Sequence, residues 1–229
     1  AGGFSLGAAG TPPGGAWTQV SSTSLQNVAA LAWSTPVPAG LLVSSNTYHV
    51  VSIAIDQATN LQSGAAAAGV GSLFRYDRNN PTTAITLPAS NADQNVLSTV
   101  SGTAADNSDL SGVYARTWNN TLSRYWNFFF VNWDDALVAE TAWYPTMPVN
   151  PNWPVWKTTF ALNSGTRYIV NAKARDQAGN YDVVYSTRDV IYDTAPPQSR
   201  VTQPANNAVI NTMPAITGTA TDTGGAGVS

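Results

Sequence analysis

Acid–base chemistry needs titratable groups held in pairs, and this chain offers few from which to build one. Its 229 residues include 13 Asp and Glu, one histidine and no cysteine. Asp134, Asp135 and Glu140 lie near Trp133 and Trp143. Paired carboxylates beside aromatic rings are the equipment of a glycoside hydrolase, which keeps one carboxyl protonated in a cleft. An all-β sandwich seldom supplies such a cleft, so the expected set of catalytic residues is empty. His49 is the only histidine. Nucleophilic triads and zinc centres generally need histidine or cysteine partners, and a single histidine placed mid-strand reads as an ordinary sheet residue, with no enzyme to expect.

Calcium is the remaining ion to consider, because it takes several oxygen ligands. Asp106, Asp176 and Asp193 are the candidates, provided that a sandwich brings them to one pole; for Asp176 the simpler role is to cap its own turn through an Asx hydrogen bond. No other cofactor is expected. Six tryptophans, Trp118, Trp126, Trp133, Trp143, Trp153 and Trp156, fall within 40 residues. Most should pack in a core with the indole N–H bonded at its margin. Trp126 is the best core residue. Trp143, Trp153 and Trp156 are the candidates for an exposed set that holds a ligand, with Trp153 on a loop between Pro151 and Pro154. Asn119-Asn120-Thr121 matches the N-glycosylation sequon, a short pattern that often arises by accident.

The elements that must position these side chains read as strands. Tyr168, Val170, Ala172 and Ala174 alternate with Ile169, Asn171, Lys173 and Arg175, a period of two that buries one face of a sheet. Residues 50–55 alternate in the same way, and 182–192 is rich in Val, Tyr and Thr. Asn163-Ser164-Gly165 and Gln177-Ala178-Gly179-Asn180 are the turns between runs. Phe128, Phe129, Phe130 and Val131 form an unbroken apolar run, which predicts a fully buried strand. The stretch from Ser22 to Trp33 has room for a short turn of helix.

An internal repeat organises the chain. Tyr48 to Asn60 matches Tyr168 to Asn180 at an offset of 120 residues. At an offset of 116, Tyr76-Asp77 matches Tyr192-Asp193, Ile85 to Ala89 matches Val201 to Ala205, and Ser101 to Asp106 matches Thr217 to Asp222. Such a period is too long for a solenoid unit and fits one sandwich domain. Asn79-Asn80-Pro81 and Ala195-Pro196-Pro197 read as Pro-stiffened junctions. Residues 78–193 are therefore expected to form a complete repeat. Residues 1–77 would be a partial repeat that lacks its first strands, and residues 194–229 the first strands of a further one. A sandwich without its first strands leaves edges unpaired. The missing strands are to be supplied either by a longer tandem array or by a neighbouring subunit through strand donation.

Composition narrows the setting. Charged residues make up 10 % of the chain against 43 % hydrophobic, so Ser, Thr, Asn and Gln must cover the surface, as suits exposed strands and turns. The net charge of −3 and the scattered basic residues argue against nucleic acid, which needs a cationic stripe. No apolar run reaches the ~18 residues of a membrane-spanning helix, and Ala65 to Ala68, between glycines, reads as a small-residue insert.

The block Ile216-Thr217-Gly218-Thr219-Ala220 with Asp222, the Tyr125-Trp126 pair, Asp176-Gln177-Ala178-Gly179-Asn180 and the closing Tyr192-Asp193-Thr194-Ala195-Pro196-Pro197 together resemble bacterial Ig-like tandem repeats of large extracellular surface and adhesin-type proteins. The resemblance covers essentially the whole chain. The first repeat departs from the pattern, with Thr59 at the turn glycine and an insert from Gln62 to Leu73. It implies an all-β fold of immunoglobulin-like sandwiches, one complete and two partial, at the cell surface or secreted. It implies a non-catalytic structural module of a filament, sheath or giant surface protein, with neighbouring repeats or copies of itself as partner. The alternatives are a carbohydrate-binding or adhesion module that holds glycans on exposed aromatics, and an accessory domain of a secreted hydrolase.

Overall fold

The structure is a computed structural model that describes residues 2–8, 18–21, 34–53, 58, 60, 71–89, 92–149 and 153–228. The expected helical turn at 22–33 and the insert at 65–68 lie outside the described residues. The protein is all-β: 17 strands and no helix are described. It divides into two compact units, residues 1–79 and 80–229.

The first unit carries β1 (Gly2–Ala8), β2 (Thr18–Ser21), β3 (Asn46–Ile53) and β4 (Ser72–Tyr76). They form one antiparallel sheet in the order β2–β1–β3–β4.

The second unit begins with β5 (Thr82–Leu87), β6 (Ala92–Gln94), β7 (Val100–Ala105), β8 (Leu110–Asn119), β9 (Arg124–Asn127) and β10 (Asn132–Asp134). It continues with β11 (Tyr144–Pro145), β12 (Met147–Pro148), β13 (Val155–Thr158), β14 (Thr166–Asp176) and β15 (Ser186–Tyr192), and then β16 (Gln198–Gln203) and β17 (Thr217–Thr221). The larger sheet runs β10–β9–β8–β14–β15–β6 with β11 on β8, and the smaller runs β12–β13–β7–β5. Their inner faces meet over one core, a β-sandwich. Ile85, Val100, Ala104 and Trp156 enter it from the smaller sheet, and Leu110, Val113, Val170, Ala172 and Ala174 from or beside the larger. The alternation along β14 dictates this: Tyr168, Val170, Ala172 and Ala174 are all fully buried, while the residues between them face out.

An edge strand leaves backbone groups unpaired, and β5 lies at the edge of the smaller sheet. Side chains from the larger sheet close it. Ile85 N–H donates to Ser186 Oγ at 2.8 Å, and the Arg188 guanidinium donates to the Ile85 carbonyl. Thr83 donates to the buried Asp182 carboxylate at 2.6 Å, and the other oxygen of Asp182 accepts Ala174 N–H at 2.9 Å. Asp182 thus ties the two sheets together.

The apolar run at Phe128 is not a buried strand. Residues 128–131 form the turn between β9 and β10, with Phe129 79 % and Phe130 69 % exposed. Asn127 decides the outcome, because its Oδ1 accepts the N–H groups of Phe129 and Phe130 at 2.9 and 3.1 Å. That local bond satisfies two backbone donors that a strand would have left to a neighbour. Val131 completes the turn at φ 56°.

The sequence repeat recurs as hydrogen-bond register. β3 pairs with β4 through Asn46↔Tyr76 and Tyr48↔Phe74, and β14 pairs with β15 through Thr166↔Tyr192 and Tyr168↔Val190. The strand order β2–β1–β3–β4 parallels β9–β8–β14–β15. In turn β16–β17 reproduces β5–β7 pair for pair: Thr82↔Ala105 corresponds to Gln198↔Thr221 and Ile85↔Gly102 to Val201↔Gly218. The bulge between Ile85 and Leu87 reappears between Val201 and Gln203. The first unit therefore shows one half of the sandwich pattern and the β16–β17 hairpin the other half.

Candidate functional sites: the repeat clasp and an aromatic face

The same set of polar contacts occurs in each of the two units. Asn163 N–H donates to Tyr168 Oη at 2.8 Å, Gly165 N–H to the Tyr192 carbonyl at 2.9 Å, and Thr194 N–H to Ser164 Oγ at 2.8 Å. Asp193 Oδ1 accepts Ser164 Oγ–H and Ala195 N–H at 3.3 and 2.8 Å. In the first unit the corresponding donors are Val43 N–H to Tyr48 Oη at 2.6 Å, Ser45 N–H to the Tyr76 carbonyl at 2.8 Å and Arg78 N–H to Ser44 Oγ at 2.8 Å. Asp77 there accepts Ser44 Oγ–H and Asn79 N–H at 3.2 and 2.9 Å. Ser45 and Gly165 hold the turn at φ 72° and 75°.

Asp193 does more than cap its own turn. Its Oδ2 accepts Ala226 N–H at 3.1 Å, from the loop that follows β17. These backbone donors hold its carboxyl below the ordinary aspartate value. Gly224 makes the approach possible, since a Cβ there would lie 1.6 Å from Asp193 Oδ1. Gly224→Val should push the loop off Asp193, and limited proteolysis should then cut within 194–229 several-fold faster while the 80–193 sandwich resists as before. An unchanged cleavage rate would show that the contact does not hold the hairpin.

Asp193 is not at the pole of the other calcium candidates. It follows β15 beside the start of β14, whereas Asp176 ends β14. Ten residues of strand put them roughly 33 Å apart. Asp106 and Asp176 do meet, with carboxylate oxygens within 4.8 Å. Asp176, however, accepts Asn180 N–H and Asn180 Nδ2–H at 2.8 and 2.7 Å, so it caps the turn in which Gly179 sits at φ 98°. Asp106 Oδ2 accepts Ser108 N–H and Oγ–H at 2.7 and 2.6 Å. Asp106 Oδ1 is buried with no hydrogen-bond partner among the described residues.

The three tryptophans singled out as ligand-contacting part company. Trp156 is 0 % exposed and donates its indole N–H to the Thr103 carbonyl at 3.2 Å. It lies over Gly102, where a Cβ would come within 2.5 Å of its ring. Trp153 is half-buried against the core at φ 65° instead of open on a loop. The setting of Trp153 between Pro151 and Pro154 suggests a loop; what makes room for Trp156 is Gly102, some fifty residues earlier in the chain and invisible to local pattern. Trp126 is core, edge-on to Trp133 at 5.1 Å, and Trp133 stacks on Tyr168.

Trp143 is half-buried, and it anchors an aromatic face that sequence reasoning assigned only in part. On the outer side of β8 and β14, the Arg116 guanidinium lies 4.5 Å and the Lys173 ammonium 4.3 Å from the Trp143 ring centre. Lys173 also faces Tyr181 at 4.8 Å and Tyr185 at 5.8 Å, and Arg175 faces Tyr181 at 5.6 Å. Trp143 meets Tyr185 edge-on at 4.9 Å. Burial, and then the like charge of Arg116, lower the Lys173 pKa, while Glu140 acts against them. The signal in the sequence was the alternation itself: Lys173 and Arg175 are the outward members of β14.

Asp134, Asp135 and Glu140 form no acid–base pair. Asp134 accepts Asn127 Nδ2–H and Ala136 N–H, which hold its carboxyl below the ordinary value, and Asp135 pairs with Arg124 on the surface.

No family model and no curated protein matches the chain. Among solved structures, the crystal structure of an engineered protein aligns at 15 % identity and a TM-score of 0.30, over 58 % of this chain and 24 % of that one. So low a score carries nothing for fold or function.

Proposed function

We propose that this protein is a non-catalytic structural module of an extracellular filament, sheath or giant surface protein, extended through tandem Ig-like sandwiches. The observation that carries the reading is the β16–β17 hairpin. It repeats β5–β7 pair for pair, yet its core-type residues face solvent. Ile85 and Val100 are 0 % and 1 % exposed, while their counterparts Val201 and Ile216 are 62 % and 67 % exposed. Leaving two such side chains in water forgoes roughly 1.5–3 kcal/mol each. A sheet of the β1–β4 pattern is the complement that would bury them. It comes from the next repeat of the same chain or from a neighbouring chain, and the Asp193 clasp would set the angle at which it docks.

The chain has no cysteine, so single-cysteine variants report cleanly. In the native protein as its source makes it, Val201→Cys and Ile216→Cys should react with a thiol reagent at least tenfold more slowly than a cysteine placed at exposed Val183. Equal rates would sink the reading. The mass of the native chain under denaturing conditions then separates the two arrangements: a value near 24.0 kDa points to a neighbouring chain, a much larger one to a covalent array.

The aromatic face favours a second reading, a carbohydrate-binding or adhesion module. Indole and phenol rings gathered over the outer face of β8 and β14 are suited to the flat apolar face of a sugar.

A further inference from the structure

Three of the ten basic residues, Arg116, Lys173 and Arg175, project from the outer face of β8 and β14. Register fixes their spacing. Arg116 stands opposite Asn171, so Lys173 lies one outward step further along β14 and Arg175 a second step, each step about 7 Å. None of the three is paired with a carboxylate: the ion pairs among the described residues are Arg124–Asp135 and Arg167–Asp189. Arg116 spends its Nε–H on Asn171 Oδ1 and its Nη1–H on the Ala139 carbonyl, which leaves Nη2 without an acceptor among the described residues. Among the described residues Lys173 makes no hydrogen bond, and its ammonium faces three rings. Rings delocalise and desolvate a cation without neutralising it. Glu140 acts on Lys173 but forms no ion pair with it among the described residues, so three cations against one carboxylate leave an excess of positive charge at one face of a chain whose net charge is −3.

We propose that this face binds an acidic polysaccharide, with a sugar carboxylate placed between Arg116 and Lys173 and the pyranose ring laid against Trp143, Tyr181 and Tyr185. The proposal rests on the carbohydrate-binding reading and adds the ligand class. A carboxylate there takes the free Arg116 donor and the Lys173 ammonium together, as charge-assisted hydrogen bonds. It also relieves the repulsion between two cations that share one indole ring. Tyr181 and Tyr185 are 40 % and 42 % exposed, open enough for a sugar to reach. An acidic peptide would use the same charges without needing the rings. Nucleic acid would need a basic stripe much longer than three side chains.

The test is tryptophan fluorescence of the full chain titrated with oligogalacturonate, with a neutral glucan oligosaccharide of the same length, and with polyglutamate. Oligogalacturonate is expected to shift the emission and bind at least tenfold more tightly than either of the others, and to weaken as salt is raised. Lys173→Gln, on an outward position, should keep the circular dichroism spectrum and lose tenfold or more of that affinity. Trp143→Ala should lose binding altogether; should that variant unfold, Lys173→Gln still decides. Equal binding of the neutral glucan would overturn the acidic class and leave the carbohydrate reading standing. Equal binding of polyglutamate, or oligogalacturonate binding that Lys173→Gln does not weaken, would overturn the proposed site. No response to any sugar would overturn the site and the carbohydrate reading together.

Discussion

Replacing Trp156 with alanine is expected to cost the sandwich about 3–5 kcal/mol, read as a fall in the urea midpoint by circular dichroism. A domain of this size is stable by about 5–15 kcal/mol, so the variant should stand near the edge of folding at 37 °C. The indole is fully enclosed among Ile85, Val100, Ala104 and the β14 residues, and its N–H is bonded to Thr103. Truncation removes the largest fully buried side chain and leaves the Thr103 carbonyl without that donor. Gly102 sharpens the prediction. A Cβ at Gly102 would meet both the Trp156 ring, at 2.5 Å, and the Ala84 carbonyl, at 2.1 Å. Gly102→Ala alone should therefore be severe. In the Trp156→Ala background it should cost less, because only the carbonyl clash is left. Residues in direct contact are where additivity fails, and strictly additive losses would show that the indole does not rest on Gly102. A loss below 1 kcal/mol for Trp156→Ala would show that the position is not core.

Trp156 also marks the limit of what the sequence could tell. The strand β14 was legible because period two is a local signal: four buried residues alternate with outward ones in a single run. The hairpin β16–β17 was legible because a second copy of the pattern sits 116 residues earlier. The fate of Trp156 depended on a glycine in a different strand, and that of Phe129 on the Asn127 side chain bonding two backbone donors. Both outcomes are set by contacts that composition and spacing do not encode. The three calcium candidates part for a related reason. Asp193 ends the strand that runs back along β14, so strand direction alone sends it to the pole opposite Asp176. The aromatic face lay between these extremes. Outward positions on β14 were readable, whereas the arrival of Trp143 and Tyr185 over them was a matter of loop packing.

Asp182 should give the protein an unusual response to pH. Burial pushes its carboxyl above the ordinary aspartate value, against the bonds from Thr83 and Ala174 that favour the anion. The folded state then holds the proton more tightly than the unfolded chain. That contribution to stability is fully present below the unfolded-state value, roughly pH 4, and is lost as the pH rises through the folded one. Asp134, Asp189 and Asp193 are shifted the other way, chiefly by Asn127, by Arg167 and by the Ala226 amide respectively. Their contribution is present above roughly pH 4 and is lost on acidification. Asp182→Asn keeps an acceptor for Ala174 N–H and a donor for Thr83 Oγ but has no charge to bury. It should match the wild type at pH 3 and exceed it increasingly as the pH rises from the unfolded-state value through the folded one. Asp182→Ala should instead lose about 1–3 kcal/mol at every pH, because Ala174 N–H is left buried and unpaired. Urea midpoints of the three proteins at intervals from pH 3 to 7 measure this directly. An Asn variant that loses stability relative to wild type as the pH rises would mean that Asp182 is held as a favoured anion, and that the tie between the two sheets is an ionic one.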